Sequence, residues 1–349
     1  MPTSWLNNPI HSPNLASAEQ AAQRQEQLTK PPGSLGRLEE IAITLATLQG
    51  NENPRIENPN IVVFAADHGI AEEGVSAFPQ VVTGEMIRNF SRGGAAISVL
   101  ANALQAPLKV INLGTAQPIE DLPGVSHLNI AAGTANFAKE SAMTDETLAQ
   151  ALQAGKDVVD DMKAVDLFIA GEMGIANTSS ATALAAVLLN EDATLIAGPG
   201  TGLNPQGVQH KATVINTAIQ KHGLNAISKP LEVLKTLGGL EIAAITGAYI
   251  RCAQKGIPVL VDGFISSVAA LVASRLQADS LPWMIFSHQS AEPGHSRILQ
   301  AMDANPLLNL GMRLGEGSGA AVALPLLQSA CTLHSSMATF VEAEVSASN

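Results

Sequence analysis

From residue 60 onward, short runs of β-branched and aliphatic residues alternate with longer helical stretches, and that alternation leaves few architectures open. The candidate strands are Asn60–Ala66, Leu108–Leu113, Asp166–Ala170, Ala193–Ala197, Ile257–Val261 and Trp283–Phe286. Helical stretches fall at about Val81–Leu104, Asp145–Met162, Thr178–Leu189, Pro205–Lys221, Leu240–Lys255, Ile265–Leu276 and Ala291–Met302. Strands that alternate with helices form a parallel sheet covered on both faces. The expected fold is therefore a three-layer α/β arrangement, with a mostly parallel sheet of about six strands.

Composition fits that reading. Hydrophobic residues make up 46% of the 349 positions and charged residues 14%, which excludes a disordered chain. Only 3% are aromatic, so Ala, Leu, Gly and Ile carry the core. A net charge of −12 argues against nucleic acid or an anionic membrane as partner, since either calls for a basic patch. The apolar stretches Ile257–Ala273 and Gly317–Leu333 contain Asp262 and Pro325, and read as core or interface helices rather than membrane spans. Cys252 and Cys331 lie in apolar stretches without metal-ligand spacing and read as reduced core thiols. Met1 to Pro13 lacks the pattern of a signal peptide, and a cytoplasmic location is expected. Near that end, Pro31-Pro32-Gly33 breaks a helix, with Ser34 or Gly33 placed to cap the one that runs to Leu48. The tail from Thr332 is expected to finish a helix and then fray.

Open α/β sheets bind ligands at the C-terminal ends of their strands. Here those turns hold Asp67-His68-Gly69, Gly114-Thr115-Ala116, Gly171 to Gly174, Gly198 to Gly202, Asp262-Gly263 and Ser287 to Ser290. Gly174, Ala176, Asn177 and Thr178 open a helix whose free N–H groups can hold a phosphate, though Asn177 or Thr178 can equally be a simple cap. Gly200, Thr201 and Gly202 make a second glycine-rich turn with Lys211 on the following helix. That turn is either a tight connection or a second wall of a phosphate pocket; it is neither a P-loop nor a dinucleotide fingerprint. Asp67-His68-Gly69 reads first as a turn held by side-chain hydrogen bonds. His288 and His295 lack a third partner at zinc spacing.

Glu316 is a lone carboxylate bracketed by Gly315, Gly317 and Gly319, ahead of the apolar run Ala320–Leu327. Such an acid is poorly solvated, so its pKa rises toward the range useful to a general base. The simpler reading is a helix start capped by Ser318 or Glu316. No Gly-x-Ser-x-Gly elbow is present. No paired acids of the kind that hold ribose and magnesium in diphosphate-using phosphoribosyltransferases follow a strand, since Asp67 stands alone. If a ribosyl phosphate is transferred, its leaving group is then not diphosphate and metal need not take part.

A series of motifs carries a resemblance across residues 30 to about 330. They include Lys30 to Gly36, Ala65 to Gly69, Val75 to Gln80, Gly93 to Ala96, Gly133 to Phe137, Gly171 to Thr178, Gly198 to Leu203, Leu237 to Ile242, Val261 to Phe264, Ser287 to His295 and the stretch around Glu316. In these the chain resembles the nicotinate-nucleotide–dimethylbenzimidazole phosphoribosyltransferases. The resemblance implies phosphoribosyl transfer from nicotinate mononucleotide to a benzimidazole, with no cofactor and no metal. It places the general base on Glu316, with Glu172 as a second carboxylate for a ribose hydroxyl or another proton path. It places phosphate binding on Gly174 to Thr178 and on Gly200 to Gly202 with Lys211, and base recognition on Ser76, Phe78, Met86, Leu314 and Gly315. Phe78 and Met86 stand where some members carry serine and glutamine, which makes the acceptor side less polar. The resemblance also implies a homodimer, and a division into a large α/β domain (residues 59–306) and a small helical domain from both chain ends (1–58 and 307–349). Transfer to another base or a phenol, a non-catalytic nucleotide-binding regulator and, more distantly, a dehydrogenase remain as alternatives.

Overall fold

The computed structural model describes residues 3–346. Its strands are β1 (Pro59–Ala66), β2 (Leu108–Gly114), β3 (Val125–His127), β4 (Leu167–Met173), β5 (Val259–Val261) and β6 (Met284–Phe286). They form one sheet of six strands in the order β3-β2-β1-β4-β5-β6, and every pairing is parallel. Its helices are α1 (Leu15–Gln27), α2 (Arg37–Gln49), α3 (Val81–Ser91), α4 (Ala96–Ala103), α5 (Asp145–Asp161) and α6 (Asn177–Leu189), then α7 (Pro205–Lys221), α8 (Pro230–Leu237), α9 (Leu240–Lys255), α10 (Phe264–Leu276), α11 (His295–Ala301) and α12 (Ser318–Ser336).

The side-chain period of two along a strand sorts the central strands between two cores. Val62, Phe64 and Ala66 of β1, with Phe168 and Ala170 of β4, pack on helices that include α5, α6, α9 and α10. Ile61, Val63 and Ala65, with Leu167 and Ile169, face Ile41 and Leu45 of α2, Ile97 of α4 and Leu324 and Leu327 of α12. Both faces of β1 are covered, which is why it reads as an unbroken apolar run.

The strand count is as expected, but one member differs. Ala193–Leu195 is a 3-10 turn, because the Asp192 side chain accepts from the Thr194 N–H (2.8 Å) and turns the chain before a ladder can form. The sixth strand is β3, a three-residue edge strand, too short and too polar to show any alternation. The long helix expected over residues 81–104 is two helices, since Gly93 takes a left-handed φ of +80° between them. At the N-terminal end Gly36, not Ser34 or Gly33, caps α2, and the Glu39 carboxylate accepts the Leu35 N–H at 2.9 Å. Cys252 and Cys331 are both free and buried.

The tail is tied down where fraying was expected. Leu28 pairs with Thr339 in an isolated antiparallel bridge, and the Phe340 N–H donates to the Gln27 carbonyl at 2.9 Å. The Arg24 guanidinium also donates to the carbonyls of His334 and Ser335, at 2.7 and 3.0 Å. Residues 347–349, the last of that expected tail, lie outside the described residues. No described helix is long and apolar enough to cross a membrane.

Candidate active site

The strand order reverses between β1 and β4, and a cleft of about 470 Å³ opens at the C-terminal end of β4 and of its neighbours β5 and β6. Glu172 is already on β4, opposite Phe64, so this strand runs further than its apolar core predicts. Gly174 follows, and a Cβ there would meet the Ala66 carbonyl and the His68 ring. Ala176 then takes a left-handed φ of +74° at the N-cap of α6, with no side-chain cap. Asn177 is therefore not a cap. Its amide donates to the Glu172 carboxylate and fixes that side chain at the mouth of the helix.

Glu172 is buried, and its pKa is pushed well above the usual carboxylate range, first by burial and then by repulsion from Glu241 and Asp262. The Asn177 hydrogen bond opposes that shift without reversing it. Behind it, His68 bridges Ser180 of α6 (Nδ1 to Oγ, 2.9 Å) and Glu241 of α9 (Nε2 to Oε1, 2.7 Å). This motif therefore holds helices together more than it stabilises its own turn, although Asp67 does accept the Ala116 N–H at 2.8 Å.

Glu316 enters the cleft from the segment ahead of α12. Residues 315, 316 and 317 are all left-handed, with φ of +88°, +66° and +87°. Glycine adopts this freely, but a glutamate is strained there and persists only where its surroundings hold it. One restraint is Asp262, whose carboxylate accepts the Gly317 N–H (3.2 Å) and the Ala320 N–H (2.8 Å). Asp262 thus performs from another strand end the capping expected of Ser318 or Glu316, while Ser318 Oγ donates to the Gly315 carbonyl (2.7 Å). A second restraint is β4 itself, since a Cβ on Gly171 would overlap the Glu316 carbonyl. Glu316 is 5% exposed, and its Oε2 accepts the Ile97 N–H at the start of α4 (3.3 Å). Burial raises its pKa, the Asp262 charge adds to the rise, and the Ile97 hydrogen bond opposes it. Gly315 lies against Glu172, where any Cβ would meet Oε1, so both carboxylates edge the same space.

The two glycine-rich turns also meet there. A Cβ on Gly200 would stand 2.8 Å from Thr178 Oγ1. Lys211 is fully buried behind them, and its Nζ donates to Thr178 Oγ1 (2.7 Å) and to the Gly198 carbonyl (3.4 Å). Burial pushes its pKa down to about 8, against the attraction of Glu292.

Of the residues singled out in the sequence, Phe78, Met86, Glu172, Gly174, Asn177, Thr178, Gly200, Thr201, Leu314, Gly315 and Glu316 line the cleft. Ser76, Ala176, Gly202 and Lys211 do not; Ser76 instead touches Thr201, hydroxyl to hydroxyl at 3.3 Å. The cleft also contains Asp262, His288, Ser290, Glu292 and Arg313, to which sequence reasoning gave no role. The first three stood in strand-end turns and were open to that reading. Arg313 had no local signal: its guanidinium donates to the Gly200 carbonyl at 2.7 Å, a contact 113 residues apart in the chain. Phe78, Met86, Met173, Phe264, Ile265 and Leu314 supply apolar lining to the same cleft.

A family model described as Phosphoribosyltransferase matches residues 10–345. The nicotinate-nucleotide–dimethylbenzimidazole phosphoribosyltransferase of Pseudomonas putida (strain W619) is 56% identical over 347 residues, covering 99% of each chain. The enzyme of the same name from Pseudomonas aeruginosa (strain LESB58) is 56% identical over 348 residues, again with 99% of each covered. Among solved structures, the nicotinate-nucleotide-dimethylbenzimidazole phosphoribosyltransferase of Thermus thermophilus superposes with a TM-score of 0.90 at 40% identity, over 96% of this chain and 100% of that one. With sequence, overall superposition and full-length coverage agreeing, this chain belongs to the nicotinate-nucleotide–dimethylbenzimidazole phosphoribosyltransferase family.

Proposed function

We propose that the protein transfers the phosphoribosyl group of nicotinate mononucleotide to dimethylbenzimidazole, releasing nicotinate and giving α-ribazole phosphate, with Glu316 as general base. The observation that carries the assignment is the placement of Glu316. It is a buried carboxylate, held in a left-handed backbone, in a cleft lined also by the start of a helix, a glycine-rich turn and several apolar side chains.

The donor phosphate suits the start of α6 and the Gly200 turn, where backbone N–H groups and the helix dipole favour an anion. Lys211 acts from behind this wall. Because Thr178 Oγ1 accepts from its ammonium, the threonine O–H is left to donate into the cleft. Nicotinate leaves from a cationic pyridinium linkage, so its departure neutralises charge and asks little of an acid catalyst. The benzimidazole lies against Phe78, Met86 and Leu314. Attack by its basic nitrogen builds a cation unless the N–H proton is removed, and Glu316 is placed to take it. Holding both partners in line supplies the rest of the acceleration. Glu172, whose pKa is raised by burial and by the neighbouring Glu241 and Asp262, favours its protonated form more than an ordinary glutamate does, which suits it to donating a hydrogen bond.

The apolar acceptor wall favours a second reading, the same transfer to a different flat acceptor, a base or a phenol. Product analysis with nicotinate mononucleotide and a panel of acceptors tests both readings; failure to release nicotinate with any of them overturns the transferase assignment. A homodimer in the cytoplasm belongs to the same proposal, and light scattering at twice 36.1 kDa checks the dimer.

A further inference from the structure

The carboxylates around the cleft are not equally occupied. Asp262 holds two backbone N–H groups, Glu172 holds Asn177 and Glu316 holds Ile97. Glu292, which leads from β6 toward α11, is 5% exposed, lines the cleft, and has both carboxylate oxygens buried without a hydrogen-bond partner. Its carboxylate rests on Gly198, where a Cβ would overlap Oε2. Burial raises its pKa; Lys211, Arg313 and the Gly200 N–H oppose that rise, yet none of them closes a well-formed bond to it. Lys211 is committed to Thr178 and Gly198, and Arg313 to Gly200.

A buried carboxylate left open is costly, and a ligand that brings donors to it recovers that cost. The ligand group cannot be the phosphate, which carries the same sign of charge. In a nucleotide whose phosphate sits at the neighbouring Gly200 turn, the donors nearest in the covalent structure are the sugar hydroxyls. We propose that Glu292 accepts hydrogen bonds from the 2′- and 3′-hydroxyls of the donor ribose, fixing the sugar for in-line transfer and selecting ribonucleotides over deoxyribonucleotides. The inference rests on the phosphoribosyl-transfer reading above. It assigns to Glu292 the sugar contact that the sequence alone offered to Glu172, one of whose two oxygens is taken by Asn177.

The test is nicotinate release from nicotinate mononucleotide and from its 2′-deoxy and 3′-deoxy analogues, by wild type, Glu292→Gln and Glu292→Asp. The wild type is expected to favour the ribonucleotide in kcat/KM by on the order of 10²-fold or more, as sites built around a substrate hydroxyl do. Glu292→Gln should lose about 10- to 100-fold on the ribonucleotide and little on the analogues, so the preference collapses. Glu292→Asp keeps the charge near Lys211 but withdraws it by one methylene, and should show the same pattern. Equal losses on all three substrates would mean a structural counter-charge for Lys211 and would overturn the proposal. So would a wild type indifferent to the missing hydroxyls, a result that requires no variant to fold. If the wild type released no nicotinate from any donor, the transferase reading would fail instead. Calorimetric binding of the ribo and deoxy nucleotides would then decide Glu292 separately, equal affinities counting against it.

Discussion

Glu316 combines two conditions that rarely coincide, a left-handed φ and near-complete burial of a carboxylate. Each costs stability, and together they support the proposed role of Glu316 as general base. Glu316→Gln keeps the shape and removes the base, so turnover should fall by on the order of 10²–10⁴ with the nucleotide still bound. Near-normal turnover in that variant would remove Glu316 from the role. If Glu316 is the base it must be ionised in the wild type, and its pKa is raised above 4.5, so kcat/KM should drop on the acid side with a midpoint above that value. Glu172 carries the complementary prediction. Its folded-state pKa lies above the unfolded one, so the native state binds the extra proton; the resulting stability is full below about pH 4.5 and is lost as pH rises through the raised value. Glu172→Gln should therefore raise Tm at pH 8, by about 1–2 °C for each kcal/mol recovered, and have little effect near pH 4. An equal shift at both pH values would show that the ionisation is not what destabilises. At this scale the glycine bracket around Glu316 was legible, because glycine marks the backbone. The commitment of Asn177 to Glu172 and the burial of Lys211 were not, because both depend on contacts the local sequence does not encode.

The elements that the sequence delimits well have local stop and start chemistry. α7 begins with the Asn204 side chain accepting the Gly207 N–H, with proline at its first position, and α9 ends at the left-handed Gly256. β3 and α8 were missed, one for want of length and the other because its eight residues follow a turn with little periodicity. α12 shows what local reading overlooks, since its cap comes from Asp262 at the end of β5. Asp262→Ala leaves two buried N–H groups without partners and should cost about 1–3 kcal/mol in denaturant unfolding. Asp262→Asn retains one acceptor oxygen and removes the charge. It should lose less stability and move the acid limb of kcat/KM downward, because the Asp262 charge helps to raise the Glu316 pKa. An unmoved acid limb would separate the two groups. Gly315→Ala should be worse for activity than either change, since its Cβ would be forced against Glu172 at a φ of +88°.

Across the whole molecule, the chain ends do not sit apart from the sheet. Ile41 and Leu45 of α2 and Leu324 and Leu327 of α12 share one core with Ile61 and Val63 of β1 and Ile169 of β4. The helix that follows Glu316 is thus packed on the same strands that present Glu172, so the two carboxylates are positioned by one body of packing. We propose that the terminal helices α1, α2 and α12 fold only with the sheet, and that calorimetry will show a single unfolding transition. Leu324→Ala, at a site with no exposure, should lower that one transition by the equivalent of about 2–5 kcal/mol and weaken turnover with it, because the cavity loosens the helix at whose start Glu316 is held. Two resolved transitions, with only the lower one moved by Leu324→Ala, would show instead that these helices are independent and that the site is assembled by docking rather than by a common core.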